Sequence, residues 1–224
     1  MIVGGIRLSL DREERFSRHY RSVDARVAAS VSRFMDGTAT MRLERLRDEW
    51  PLWSEGERLD FCNACSWLGD QADFPDMLRF VMSTAGRQYW SSVALSVAHR
   101  LPQEEAFVIL RNALHRTEQH TANLTQAIAR TAHPEARQSL SAHLEELWRR
   151  AGLWDDAPFM NWIAFDATSC IAHLLEIGAS ASEFEDKVRA LSEHRCAGNR
   201  DSCSRQLHEH YEWLPLPPRP RFSA

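Results

Sequence analysis

The stretch Gln103–Ala136, QEEAFVILRNALHRTEQHTANLTQAIARTAHPEA, decides the fold class. Phe107, Leu110 and Leu114 recur at three and four residues, and Leu124, Ala127, Ile128 and Thr131 repeat that step before Pro134. A helix brings positions so spaced onto one face, whereas a strand would alternate them. The stretch therefore predicts two amphipathic helices joined by a tight turn, each with an apolar stripe that needs further neighbours to cover it.

The same period continues in both directions. Toward the N-terminus, Trp90, Ala94, Val97 and Leu101 mark one helix and Phe74, Leu78 and Val81 a shorter one. Leu59, Cys62 and Leu68 mark another, which Ser54 and Glu57 open as a capping box. Leu43, Leu46 and Trp50 make a helix ended by Pro51, and Phe16, Tyr20, Val23, Val27, Val31 and Phe34 make a long one from Asp11 to Met35. Toward the C-terminus the stripes are Leu140, Leu144 and Leu147; Phe159, Trp162, Ile163, Asp166 and Cys170; Phe184, Val188 and Leu191; and Leu207, Tyr211 and Leu214. Only Ile6, Leu8 and Leu10 alternate as a strand would. The predicted class is all-α.

Pro75, Pro102 and Pro134 fall at helix starts roughly thirty residues apart, where a missing N–H costs nothing and where a helix–turn–helix unit would begin again. This phasing predicts outer helices over Asp73–Ala85, Pro102–His115, Pro134–Arg150 and Ala181–His194. Inner helices fall over Arg87–Arg100, Gln119–Thr131, Pro158–Ile177 and Asn199–Leu214. With small residues at their packing positions, Gln103–Ala136 and Ala157–Ser180 resemble HEAT and armadillo-like repeats. The resemblance implies an α-solenoid, a right-handed superhelix of antiparallel helix pairs. Residues 1–214 would then be one domain, with 11–35 as an N-terminal capping helix and 39–214 as the repeats. An irregular helical bundle is the competing architecture. The last residues, 215–224, hold four prolines and are expected to be a flexible tail carrying a PxxP pattern.

Composition narrows the class of function. The chain has 224 residues, 44% hydrophobic, enough for a sizeable core, and neither a signal-peptide pattern nor a membrane span is visible, so a soluble, cytoplasmic protein is expected. Five cysteines, an odd number, fit reduced thiols. Of the 27 Lys+Arg residues all but Lys187 are arginine, a skew that reads as base-composition bias. A formal net charge of −4 does not favour nucleic acid. Nine glycines include no phosphate-binding loop, no serine nucleophile elbow is present, and no cofactor is expected.

Three local patterns invite chemistry. Asp166 shares a helical face with Trp162 and Cys170, and a buried carboxylate there needs partners, most simply a neighbouring helix N-terminus or an arginine. A Trp and an Asp on one inner helix also resemble the DNA alkylation-repair glycosylases, which implies an aromatic cleft over a damaged nucleotide. Against this, Ala151–Asp186 holds Asp155, Asp156, Asp166, Glu176, Glu183, Glu185 and Asp186 but no Lys or Arg to track phosphates. That acidic run could instead face a basic partner, or simply occupy helix N-termini and turns. His194, Cys196, Cys203, His208 and His210 are zinc-ligand types at unsuitable spacing, so no metal is expected, and Cys62-x-x-Cys65 lies mid-helix without a thioredoxin context. Of the tryptophans, Trp50, Trp67, Trp90 and Trp162 read as core, and Trp53, Trp148, Trp154 and Trp213 as nearer the surface.

The reading is a non-catalytic protein-binding module whose concave inner-helix surface presents Tyr89, Ser92, Ser96, His120, Asn123, Gln126, Asn161, Phe165 and Asp166, with Tyr89 and Phe165 as anchors. Its partner would be a protein, possibly basic. The alternatives are the glycosylase-type enzyme using Trp162 and Asp166, for which Arg87, Arg111, Arg116 and Arg130 would have to line a groove, and an immunity-type protein that neutralises a toxin.

Overall fold

The computed structural model describes residues 2–3, 6–7, 39–67, 75–84 and 87–215. Both the proposed N-terminal helix over 11–35 and all of the tail but Pro215 lie outside the described residues. The chain divides into two compact units, Met1–Ala113 and Leu114–Ala224. The described residues form ten α-helices and one two-residue strand pair, β1 (Ile2–Val3) against β2 (Ile6–Arg7), antiparallel with Ile2 opposite Arg7. The fold is all-α.

In the first unit, α1 (Ala39–Glu49) runs into a 3-10 turn at Trp50–Leu52, where Pro51 cannot continue the helix. Then come α2 (Glu55–Trp67), α3 (Pro75–Thr84), α4 (Arg87–Arg100) and α5 (Gln103–Arg116), whose last turn reaches past the division. The capping box is formed: Ser54 N–H donates to Glu57 Oε2 at 2.8 Å and Glu57 N–H to Ser54 Oγ at 3.3 Å. Helix α4 packs against α2 and α3, and α1 against α3. Trp50 centres the core, its ring 5.6 Å from Trp53, 6.2 Å from Phe61, 6.1 Å from Phe80 and 6.0 Å from Tyr89. Arg58 stacks over Trp50 and donates to the Trp50 and Pro51 carbonyls, satisfying acceptors that the end of α1 leaves open. Trp53, expected nearer the surface, is 7% exposed because it joins this cluster.

The second unit holds α6 (Ala122–Arg130), α7 (Ala136–Arg149), α8 (Trp162–Glu176), α9 (Glu185–Ser192) and α10 (Ala197–Leu207). Helix α8 is its axis, packed on α6, α7 and α10, while α9 packs on α10. Each helix predicted beyond Phe74 is present, with shifted ends. The turn before α6 takes up His120, at φ 59°, and α6 starts two residues later; α8 begins only after Asn161, whose side chain caps it. The helix predicted over Ala181–His194 is a 3-10 turn at Ala181–Glu183 followed by α9. Asn199, where the last inner helix was expected to begin, lies within α10, which Cys196 precedes.

The long connection 151–160 is anchored by Leu153, fully buried, and by Trp154, whose ring meets Trp148 edge-on at 5.3 Å and stacks on His194 at 5.7 Å. Gly198 lets α10 pass the Phe159 carbonyl closely, since a Cβ there would collide with that backbone oxygen.

Candidate functional site

The second unit brings its chemistry-bearing residues together where the N-termini of α6 and α8 meet. Asn161 Oδ1 accepts the N–H groups of Ile163 and Ala164 at 3.0 and 3.1 Å, satisfying two donors that the first turn of α8 leaves open. Its Nδ2 donates to the Gly152 and Asp155 carbonyls, and its backbone N–H and C=O form a reciprocal pair with the Asn199 amide at 2.7 and 2.8 Å. Asn161 is thereby 7% exposed and acts as a cap and clasp, not as the surface amide expected.

One turn into α8, Asp166 is fully buried. Its Oδ1 accepts the N–H of Thr121 at 2.9 Å and of Ala122 at 3.2 Å, at the start of α6, 45 and 44 residues away. A carboxylate there complements the positive end of the helix. The other oxygen, Oδ2, is buried and has no hydrogen-bond partner among the described residues. Burial pushes the carboxyl pKa up, opposed by the Thr121 and Ala122 donors and by His120.

Further polar groups line the same interior. Thr121 Oγ1 lies 3.1 Å from His143 Nε2. Thr125 Oγ1 lies 3.0 Å from His173 Nδ1 and donates its own proton to the Ala122 carbonyl at 2.9 Å, so His173 Nδ1 must carry a hydrogen. Burial lowers both imidazole pKa values from 6.5 to about 4. Both histidines therefore sit neutral in the core near pH 7. The Cys170 thiol points at the Leu140 carbonyl at 3.4 Å, and burial raises its pKa.

In front of this interior lie three aromatic rings. Trp162, 44% exposed, is 4.4 Å from the His120 ring and 5.7 Å, edge-on, from the half-buried Phe165. Trp162 was assigned to the core by its place in the stripe; as the first residue of α8 it instead stands at the rim. His120 and Asn123 are exposed and Gln126 is half-buried. The rim thus gathers His120, Trp162 and Phe165, with Asn123 exposed in the first turn of α6 and Asp166 one turn into α8.

Tyr89, Ser92 and Ser96 belong to the first unit. Tyr89 is 2% exposed against Trp50, so the ring expected to anchor a partner is a core ring, and Ser96 is also buried; Ser92 is half-exposed. Sequence reasoning missed Thr121, Thr125, His143, His173 and the Asn199 amide, whose roles arise only where α6, α7, α8 and α10 meet. The signal available was three polar residues inside apolar stripes, His143, His173 and Thr125.

The acidic run is partly neutralised. Glu176, Glu183 and Glu185 face Arg130, Arg137 and Arg189 at 4.0, 2.7 and 2.6 Å. Glu183 also accepts the Ser180 N–H, and these donors hold its carboxyl below the usual range. Three of the five zinc-ligand types are used internally. His194 Nδ1 accepts the Cys196 N–H and its Nε2 meets the Leu153 carbonyl, while the Cys196 and Cys203 thiols point at the Phe159 and Val188 carbonyls. Among the described residues no group of three or more His, Cys, Asp or Glu is placed to hold a metal, and no helix is long and apolar enough to cross a membrane. Cys62 is buried within α2, its thiol pushed up to about 12.

Comparison of the chain with protein-family models, with curated proteins and with solved structures finds no match.

Proposed function

We propose that this chain is a non-catalytic protein-binding module, and that its partner docks on the rim formed by His120, Trp162 and Phe165 and reaches Asn123 on α6. The observation that carries the reading is that residues from two helix starts, about forty positions apart, bring three rings together, His120 and Trp162 exposed and Phe165 half-buried, with a fully buried carboxylate one turn on. Exposed aromatic clusters of this kind supply contact area at low entropic cost. The buried polar groups behind them are neutral or committed to holding helices together, which suits a rigid binding surface better than a reaction centre.

The architecture we propose is a HEAT- or armadillo-like stack of antiparallel helix pairs in a right-handed superhelix. It is supported by the succession in which α8 packs on both α6 and α10, with α7 against α6 and α8 and α9 against α10. That is the contact order of inner helices side by side with outer helices behind them.

A photo-reactive phenylalanine analogue placed at Phe165 and, separately, at exposed Ala142 on α7 tests the docking rim. The expected result is one protein adduct, identified by mass spectrometry, from position 165 and not from 142, that Trp162→Ala abolishes. Equal labelling from both positions, or none from 165, refutes it.

A further inference from the structure

The rim and the carboxylate beneath it are complementary to one kind of side chain. Asp166 Oδ1 is committed to the α6 N-terminus, but Oδ2 has no donor among the described residues although the residue is fully buried. Buried carboxylate oxygens are expensive to leave unpaired. The nearby Arg150 is engaged elsewhere, with Glu146 at 2.7 Å and with the Glu118 carbonyl. No Lys or Arg lies between Ala151 and Asp186, and Asp155 and Asp156, both exposed, add negative charge just before α8.

One turn before Asp166 on α8, the Trp162 ring lies against His120, and both are at the surface. A flat cation is the guest that uses all of these features together. It stacks on the indole, gains from the ring quadrupole, and donates a charge-assisted hydrogen bond to the unpaired oxygen. A guanidinium does this better than an ammonium, because it is planar, weakly hydrated and keeps its charge when desolvated.

We infer that Trp162, His120 and Asp166 form a receptor for a single arginine side chain of the partner protein, with Trp162 as the stacking face and Asp166 Oδ2 as the acceptor reached once the indole turns aside. This rests on the docking reading above and specifies what the partner presents. Trp162 is the first residue of α8 and 44% exposed, whereas Ala164, Ala167, Cys170, Ile171 and Leu174 behind it are fully buried.

The test is a titration of the 15N-labelled chain, following the Trp162 indole N–H resonance, assigned with Trp162→Phe. The probes are end-blocked Gly-Arg-Gly and the same peptide with citrulline, which keeps the shape and removes the charge. Saturable movement with the arginine peptide is expected, with binding about tenfold weaker or worse for citrulline. Asp166→Asn, which keeps an acceptor for Thr121 N–H, is expected to remove the preference between the two peptides. Equal response to both peptides, or no response to either at tens of millimolar, overturns the arginine inference, and the wild-type contrast decides even if Asp166→Asn fails to fold. If photo-labelling from Phe165 persists in that case, the docking reading stands alone; if labelling fails, that reading falls whatever the peptides show.

Discussion

Asp166 holds the first backbone N–H groups of a helix that begins 44 residues before it, through one oxygen at 2.9 Å from Thr121 N and 3.2 Å from Ala122 N. The carboxylate is thus a cap supplied by another helix. Asp166→Ala is expected to lower unfolding free energy by about 2–4 kcal/mol, because it strands two buried donors and leaves a small void. Asp166→Asn, which keeps an oxygen, is expected to cost less; chemical denaturation of the three proteins checks the order.

Acid sensitivity follows from the buried histidines. His143 and His173 have folded-state pKa values lowered from 6.5 to about 4, chiefly by burial. Between those values the unfolded chain binds more protons, so the stability these groups contribute is complete above pH 6.5 and is lost as pH falls toward 4. The loss is on the order of 2–3 kcal/mol for each. His143→Gln and His173→Gln should each flatten the stability–pH curve over that window. Asp166 runs the other way, its raised pKa making its ionisation cost stability as pH rises past the usual carboxylate range. A double His variant that retains the full slope would exclude these two groups as its source.

Two glycines predict opposite signs. Gly198→Ala drives a Cβ into the Phe159 carbonyl, and a drop of about 2–3 kcal/mol is expected, as for other overpacked sites. Gly56, near the start of α2, has nothing within 4 Å of where a Cβ would sit. Gly56→Ala is expected to stabilise by about 0.5–1 kcal/mol. Thermal unfolding of both variants separates the cases.

The clasp between Asn161 and Asn199 predicts which amide matters to it. Asn199→Ala leaves the Asn161 N–H and C=O unpaired and is expected to lower unfolding free energy by about 2–4 kcal/mol, whereas Asn161→Ala keeps that backbone pair and loses instead the cap of α8 and the bonds to the Gly152 and Asp155 carbonyls. Chemical denaturation checks this, and a loss under about 1 kcal/mol for Asn199→Ala would show that its amide does not hold that backbone.

Much of the helical content was legible because the apolar residues kept one period over most of the chain, and the prolines marked where units restart. Pro75 is the first residue of α3, and the Pro102 carbonyl accepts the Ala106 N–H at the start of α5. Asp166 was legible as a buried carboxylate needing partners, with a helix N-terminus and an arginine both open; the meeting of α6 with α8 decides for the first. Trp162 and Tyr89 were misplaced for one reason: periodicity assigns a face but not a depth, and a ring at a helix end on an apolar face can stand at the rim, as Trp162 does. Tyr89, three residues into α4, is covered because Trp50 reaches it. The pairing of Thr121 with His143 and of Thr125 with His173 depends on which helices meet, information that no single stripe contains.

The clasp at Asn161 bears on how this protein can be cut. Shortened forms ending before Cys196 would discard the acceptor for the Asn161 N–H and the donor to its carbonyl, together with the thiol that meets the Phe159 carbonyl. The final helix is therefore a keystone for the loop and helix before it, and a stable fragment or a fused tag should begin its boundary only after Tyr211 has bonded Ala181 and Leu214 is buried.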